Sequence, residues 1–156
     1  MDKKENILII DNIRSVENVG AMFRTADAAG IDKIYLTGIT PAPIDRFGRK
    51  RKDLAKSALG AEDFVPWEQV ENSIELITQL KKEGYFIVGI EQDKKSIDYT
   101  ELKIKNKNAF IVGAEVTGIP KEVLKECDAI IEILMRGKKE SLNVSVALGV
   151  VLFRLI

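Results

Sequence analysis

Short apolar runs alternate with amphipathic segments along most of the chain. Residues 7–10 form a continuous apolar run, which is typical of a strand buried on both faces. From residue 18 to residue 29 the apolar residues recur at helical spacing: Val19, Met22, Phe23 and Ala26. Gly30 follows them and fits a C-terminal cap. This alternation predicts an α/β fold with a mainly parallel sheet flanked by helices.

The same patterning predicts the remaining elements. Predicted strands are residues 33–37, 85–90, 109–112 and 129–134, and predicted helices are residues 73–82, 120–126 and 142–156. Residues 38–52 form a polar stretch that contains two prolines. No repeat or linker divides the chain, so residues 1–156 are predicted to form a single domain. Ligands of such a sheet bind at the carboxyl ends of its strands.

The predicted last helix combines an apolar body with a polar beginning. Its last ten residues are almost wholly apolar, which requires burial on nearly every side. It opens on Ser141-Leu142-Asn143. Ser141 as an N-cap and Asn143 as an early polar helix residue would be ordinary structural roles.

The amino-acid composition excludes several classes of catalytic mechanism and of metal site. The 156 residues include no histidine, which excludes Ser-His-Asp hydrolysis, Cys-His nucleophiles and histidine-ligated zinc. Cys127 is the one cysteine, so we expect no intrachain disulfide and no multi-cysteine metal site, and we expect this residue to be buried. Lysine plus arginine and aspartate plus glutamate both number 24, which still permits a local basic patch. With no signal-peptide pattern and no run of about 20 apolar residues, we expect a cytoplasmic protein without a membrane span.

Two further clusters stand at predicted junctions between strands and helices. "NVGAMFRTADAAG" contains Asn18, Gly20 and Arg24, which could be a helix cap, a packing glycine and a solvated cation. "FIVGAEVTGIP" contains Gly113, where a ligand could approach closely, and Glu115, which could be a lone surface acid. Each cluster alone admits the ordinary interpretation. Together with the start of the last helix, they fall on the side where an α/β sheet binds ligands.

The three clusters resemble the ordered motifs of the SpoU (TrmH-like) branch of the SPOUT RNA methyltransferases. The matching patterns are Asn18-x-Gly20-x-x-x-Arg24-x-Ala26, Gly113-x-Glu115-x-x-Gly118 and Ser141-Leu142-Asn143-Val144-Ser145-x-Ala147. This resemblance implies methyl transfer from S-adenosylmethionine to a ribose 2'-hydroxyl of RNA. It also implies a SPOUT-type fold with a C-terminal trefoil knot, which nothing in the composition or spacing could suggest.

The resemblance assigns roles to individual residues. By position, the implied cofactor contacts are Ile90, Gly113, Ile133, Leu142 and Asn143. The implied catalytic set is Arg24, Asn18, Glu115, Ser141 and Asn143, with Asn18 and Glu115 orienting Arg24 either within one chain or across the dimer. Two roles stay open for Arg24. Because guanidinium is effectively always protonated in proteins, holding a substrate phosphate is physically easier for it than acting as a base.

The implied partners are RNA and a second copy of the chain. In relatives the last helix packs across a homodimer interface, which would bury a set of apolar residues against the sheet and the partner: Val146, Leu148, Val150, Val151, Leu152, Phe153 and Leu155. Five cations in "RFGRKRK", namely Arg46, Arg49, Lys50, Arg51 and Lys52, are the predicted RNA-binding residues, with Phe47 available to stack, although a solvated charge run is the alternative. Without a separate RNA-binding domain, tRNA is favoured over rRNA by analogy with short relatives.

Two other functions remain compatible with the sequence. One is a catalytically idle RNA-binding or ribosome-assembly dimer of the same fold, against which the intact catalytic set argues. The other is a general nucleotide-binding α/β protein, which would bind adenine nucleotides without preferring a sulfonium. Binding of S-adenosylmethionine and of ATP distinguishes these functions.

Overall fold

The computed structural model describes residues 3–156, which alternate between strands and helices. The strands are β1 (Glu5–Asp11), β2 (Lys33–Thr37), β3 (Trp67–Val70), β4 (Phe86–Ile90), β5 (Ile97–Asp98), β6 (Lys107–Val112) and β7 (Ala129–Glu132). The helices are α1 (Val16–Ala29), α2 (Lys52–Ala58), α3 (Ser73–Lys82), α4 (Lys121–Leu124) and α5 (Val144–Leu155), with short 3-10 helices at Ala61–Asp63 and Tyr99–Glu101.

All seven strands form one sheet in the order β3-β2-β1-β6-β4-β7-β5. Each pairing between neighbouring strands is parallel, which confirms the predicted α/β class. Parallel strands have their carboxyl ends at one edge of the sheet, so the loops that follow them emerge together there. β6, β4 and β7 are neighbours in the sheet, and their loops build the site described below.

Helices cover both faces of the sheet, which explains the continuous apolar run in β1. Leu8 and Ile10 pack in one core cluster with Phe23 of α1 and with α5. Ile7 and Ile9 alternate with them and pack in the other cluster, against α3. Burying an isoleucine or leucine side chain contributes roughly 1.5–3 kcal/mol, so both faces of this strand stabilise the fold.

The structure corrects the beginnings of two helices. α1 begins at Val16, because the side chain of Ser15 caps it and accepts a hydrogen bond from the backbone N–H of Asn18. Asn18 is therefore in the first turn and is not the cap. α5 begins at Val144 and not at residue 142, and its N-cap is Asn143 rather than Ser141. Gly30 does end α1 in the left-handed conformation, as predicted.

Besides the two 3-10 helices, one short α-helix and two short strands lie where no helix or strand was predicted. α2 begins at the end of the polar stretch, and its apolar side is short. β3 is an edge strand with two exposed polar residues, and β5 has two residues, so neither carries an apolar run. β7 also ends two residues before the predicted boundary.

α5 is not fully buried within one chain. Leu148, Val151 and Leu152 are buried, whereas Val146, Val150 and Phe153 are 51%, 37% and 61% exposed. The exposed residues recur at spacings of four and three, so they form one apolar stripe on the helix. No helix within residues 3–156 has both the length and the apolar character needed to cross a membrane.

Asp11 is a buried carboxylate at the carboxyl end of β1. Its Oδ1 accepts a hydrogen bond of 2.7 Å from the hydroxyl of Thr37, while Oδ2 has no partner among residues 3–156. Burial raises the pKa of Asp11 above its usual value, and the charge of Glu122 raises it further, against the opposing hydrogen bonds. The folded state therefore favours the protonated carboxyl, and ionisation of Asp11 costs stability as the pH rises.

We predict that Asp11→Asn removes this pH-dependent loss of stability. The free energy of unfolding of the variant, minus that of the wild type, should increase from pH 3 upward through the raised pKa and then level off. Urea denaturation at a series of pH values measures this difference. Asp27→Asn, which removes a carboxylate from an exposed position on α1, is the control. A difference for Asp11→Asn that is flat across pH contradicts the prediction.

Candidate functional site

A cavity of about 560 Å³ lies at the carboxyl edge of the sheet. The segments that line it follow three neighbouring strands, β4, β6 and β7, and lead into α5. The lining residues are 90–92, 112–118, Glu132, Ile133, Met135, 140–144 and Ala147. Residues far apart in sequence thus surround one space, where backbone and side-chain polar groups are both available.

Three polar side chains meet beside this cavity. The amide of Asn18 donates to Oε1 of Glu115 at 3.0 Å. The amide of Asn143 donates to Oδ1 of Asn18 at 3.2 Å and to the same Glu115 oxygen at 3.4 Å. The Asn143 carbonyl oxygen meanwhile caps α5, accepting from the backbone and the hydroxyl of Ser145. One triangle of hydrogen bonds therefore joins α1, the loop after β6 and the start of α5.

Glu91 fastens the loop that carries Glu115. Its Oε2 accepts a 2.7 Å hydrogen bond from the backbone N–H of Ile119, and its Oε1 accepts one from Gln92. Gly118 lies against this carboxylate at a φ of +68°, and a side chain there would meet Oε2. Only glycine fits both the backbone conformation and the space.

Two glycines of the predicted motifs have packing roles. A Cβ on Gly113 would lie 2.7 Å from the backbone of Gly118 and Ile119, so Gly113 lets the loop fold back on itself. The expectation that its missing side chain leaves space for a ligand is therefore wrong, although Gly113 does line the cavity. A Cβ on Gly20 would lie 2.5 Å from the Leu54 carbonyl oxygen, so this glycine permits close packing of α1 on α2.

Comparison with known proteins confirms the resemblance seen in the motifs. The model of the SpoU rRNA methylase family matches residues 5–153. The chain is a member of that family. It is 35% identical over 150 residues to the 23S rRNA (guanosine-2'-O-)-methyltransferase RlmB of Ralstonia nicotianae. The aligned region covers 96% of this chain and 57% of RlmB. The chain thus spans little more than half the length of this curated relative.

Two solved structures of RNA-modifying enzymes superpose on nearly the whole chain. An AdoMet-bound rRNA methyltransferase from Sinorhizobium meliloti has a TM-score of 0.87 at 27% identity, covering 97% of this chain and 56% of its own. The TrmH/SpoU tRNA modifying enzyme of A. aeolicus has a TM-score of 0.83 at 30% identity, covering 97% and 74%. These superpositions support the fold from β1 through α5.

The structure brings most of the predicted SpoU site residues together. Those predicted to contact the cofactor all line the cavity: Ile90, Gly113, Ile133, Leu142 and Asn143. Glu115 and Ser141 line it too, and Asn18 reaches it through its hydrogen bonds. Arg24 is the exception, because it is exposed on α1 and is not part of the cavity wall. Within residues 3–156 it forms no ion pair with Glu115, so the orientation of Arg24 by Glu115 stays a prediction.

The basic loop, defined as Arg46–Lys52, carries less free charge than its sequence suggests. Arg49 pairs with Asp45, Lys50 with Glu62 and Asp63, and Arg51 with Asp53. Among the described residues, Arg46 and Lys52 have no such acidic partner.

An aromatic side chain stands between two cations of this loop. Phe47 is 66% exposed, and the guanidinium carbons of Arg46 and Arg49 lie 4.8 and 5.0 Å from its ring centre.

Sequence reasoning missed a set of cavity residues with charged or amide side chains: Glu91, Gln92, Glu132 and Glu140. Glu91 stands directly after β4, just as Glu115 stands shortly after β6, and this equivalent position could have identified it. The other three gave no comparable indication. Glu140, for example, is held at the cavity wall by a long-range contact. The side-chain amide of Gln92 donates a hydrogen bond of 2.7 Å to the backbone carbonyl oxygen of Glu140.

Residues 3–156 contain no group of acidic, cysteine or histidine side chains suited to hold a metal ion. Cys127 is half-buried rather than fully buried, and its thiol hydrogen-bonds the Val123 carbonyl oxygen. Burial raises the pKa of this thiol to about 11, so Cys127 is protonated and poorly nucleophilic at neutral pH.

We predict that Gly113→Ala destabilises the protein, because the added methyl group meets backbone atoms that cannot move independently. Overpacking of this kind costs about 1–3 kcal/mol of the free energy of unfolding. Gly137→Ala is the matched control, since a Cβ there meets nothing within 4 Å. It should change stability by less than about 0.5 kcal/mol. Urea denaturation measures both, and equal small effects would show that the Gly113 turn is not tightly folded.

Proposed function

We propose that this chain transfers a methyl group from S-adenosylmethionine to a ribose 2'-hydroxyl of RNA. The observation that carries the proposal is the triangle of Asn18, Glu115 and Asn143 at the wall of a ligand-sized cavity. Three motifs of one methyltransferase family supply these residues, although they lie far apart in the chain. RlmB, which methylates guanosine at the 2'-oxygen, supports the choice of a ribose hydroxyl.

The cavity suits S-adenosylmethionine in size and in lining. Its volume of about 560 Å³ lies within the usual range for small-molecule sites. Ile90, Ile133 and Leu142 offer apolar surface and backbone groups for an adenine ring, and Gly113 adds a backbone wall. The S. meliloti relative is an AdoMet-bound protein of the same fold. We expect the chain to form the trefoil knot of SPOUT proteins. In this knot the segment from β7 to α5 would pass through the loop at residues 113–118.

Each polar residue then has a task at the reacting atoms. When bound, the cofactor supplies a methyl group whose bond to sulfur breaks, with the electron pair going to sulfur, as a bond to the ribose oxygen forms. Glu115 Oε2 accepts no hydrogen bond within the described residues, so it is available to take the hydroxyl proton. Asn18 and Asn143 hold the carboxylate in place. Ser141 lines the same wall and can bind the substrate ribose.

Arg24 joins this site from a second copy of the chain. The apolar stripe of α5, defined as Val146, Val150 and Phe153, is the surface on which the homodimer packs. α1 packs against α5, and Thr25, next to Arg24, lies 3.7 Å from where a Cβ of Gly149 would be. Arg24 therefore lies beside the dimer surface. Its guanidinium holds a substrate phosphate and polarises the hydroxyl, since it cannot readily lose a proton.

The basic loop follows β2 and emerges at the same edge of the sheet as the cavity. We propose that Arg46 and Lys52, which have no acidic partner within residues 3–156, bind RNA phosphates directly. Phe47 adds a surface on which a base can stack. Among RNAs, tRNA is the favoured substrate, in line with the A. aeolicus relative, a tRNA modifying enzyme.

The test of the function is methyl transfer from labelled S-adenosylmethionine to purified tRNA and rRNA. Digestion to nucleosides and mass spectrometry should show a 2'-O-methylated nucleoside, predominantly from tRNA. Arg24→Ala should lower the rate by about 10²–10³-fold, as for the loss of one preorganised donor. Glu115→Gln should lower it by about 10²–10⁴-fold. RNA binding without any methyl transfer by the wild type would instead support the idle RNA-binding dimer.

Mixing these two variants tests whether Arg24 acts across the dimer. A heterodimer of Arg24→Ala with Glu115→Gln contains one site with both residues intact if the arginine comes from the partner. Subunit exchange should therefore restore activity at about one quarter of the sites. If Arg24 serves its own chain, or the protein is a monomer, the mixture stays inactive.

We predict that Arg46→Gln with Lys52→Gln weakens RNA binding and its salt dependence. Each lost phosphate contact should reduce the log–log salt slope by roughly 0.7 to 0.9. The control is Lys82→Gln with Lys103→Gln, which removes two exposed cations that precede β4 and β6 at the opposite edge of the sheet. Fluorescence anisotropy with labelled RNA measures the slopes. An equal change in both double variants would mean that the basic loop binds RNA no better than the rest of the surface.

A further inference from the structure

The wall of the cavity is strongly acidic. Four glutamates line it, namely Glu91, Glu115, Glu132 and Glu140, while no lysine or arginine of residues 3–156 does. The chain as a whole has 24 residues of each charge, so this imbalance is local. The segment from β7 to α5 shows it clearly. That segment contributes two of the four glutamates to the wall, whereas its three cations, Arg136, Lys138 and Lys139, are not part of it.

Neutral donors hold three of these carboxylates in place. Glu91 accepts from backbone N–H groups, and Ser96 donates its hydroxyl to Glu132 at 2.5 Å. Glu115 accepts from two amide side chains. None of the four forms an ion pair within the described residues, in contrast to the acids around the basic loop. Among the described residues, no cation therefore pairs with the negative charge that these four glutamates bring to the cavity wall.

We propose that this acidic wall makes the site select its adenosyl ligand by charge. The inference rests on the proposed function. S-adenosylmethionine carries one net positive charge through its sulfonium, whereas the demethylated product, S-adenosylhomocysteine, has a neutral thioether and no net charge. Attraction by one carboxylate about 7 Å away changes affinity by about threefold even at the dielectric constant of water. Several such groups favour the methyl donor over its product and disfavour anionic adenine nucleotides.

This selection has a consequence for turnover. Methyl transfer removes the positive charge of the ligand while it is still bound, so the attraction of the wall ends with the reaction. The product is then held only by contacts that do not depend on charge. The acidic wall thus favours exchange of product for a new donor molecule.

The experiment measures dissociation constants by calorimetry for S-adenosylmethionine, S-adenosylhomocysteine and ATP. The informative variant is Glu132→Gln with Glu140→Gln, because Glu91 and Glu115 also hold the loop. Gln keeps an oxygen that can accept from Ser96. The control is Glu75→Gln with Glu101→Gln, which removes two exposed carboxylates outside the cavity wall.

We expect the wild type to bind the donor at least about tenfold more tightly than the product at low salt. The ratio should fall by about tenfold in the cavity variant, stay unchanged in the control, and shrink as salt screens the charges. Equal affinities in the wild type, or a ratio that the cavity variant does not change, overturn the inference and leave the methyltransferase assignment intact. Failure of the wild type to bind either adenosyl ligand overturns the proposed function as well.

Discussion

The site depends on the hydrogen bonds that the side-chain carboxamide of Asn143 makes. Its oxygen caps α5, and its nitrogen donates to Asn18 and Glu115. Both ends of one small planar group are thus committed, one to starting a helix and the other to holding a carboxylate. The start of α5 therefore cannot move without moving Glu115, and a helix packed in the core gives the polar triangle its rigidity.

The loop after β6 is also held in place by contacts within the chain. Gly113 and Gly118 let the backbone fold tightly, and Glu91 fastens the turn through the Ile119 N–H. None of these contacts needs a ligand to form. The cavity wall is consequently preorganised by interactions that also stabilise the fold, which is the condition under which hydrogen-bonding groups aid a reaction at low cost.

One chain holds only part of the proposed machinery. Arg24 lies outside the cavity wall, and the apolar stripe of α5 faces away from the chain's own core. The proposed second copy, packed on that stripe, would account for both observations at once, because it would cover apolar surface and place an arginine from α1 at the shared surface. In the proposed dimer the acidic cavity wall and the cation that acts on the RNA would come from different copies of the chain.

The amino-acid sequence by itself determined the α/β class, the buried strand at residues 7–10, the cap at Gly30 and the family. These follow from periodicity and from short motifs, which depend on neighbours along the chain. The tertiary structure decided that Asn143 rather than Ser141 caps α5, that Gly113 accommodates backbone, and that Arg24 stands apart from Glu115. It also decided that four glutamates share one cavity. Each of these outcomes depends on which distant residues come into contact, and neither periodicity nor a short motif contains that information.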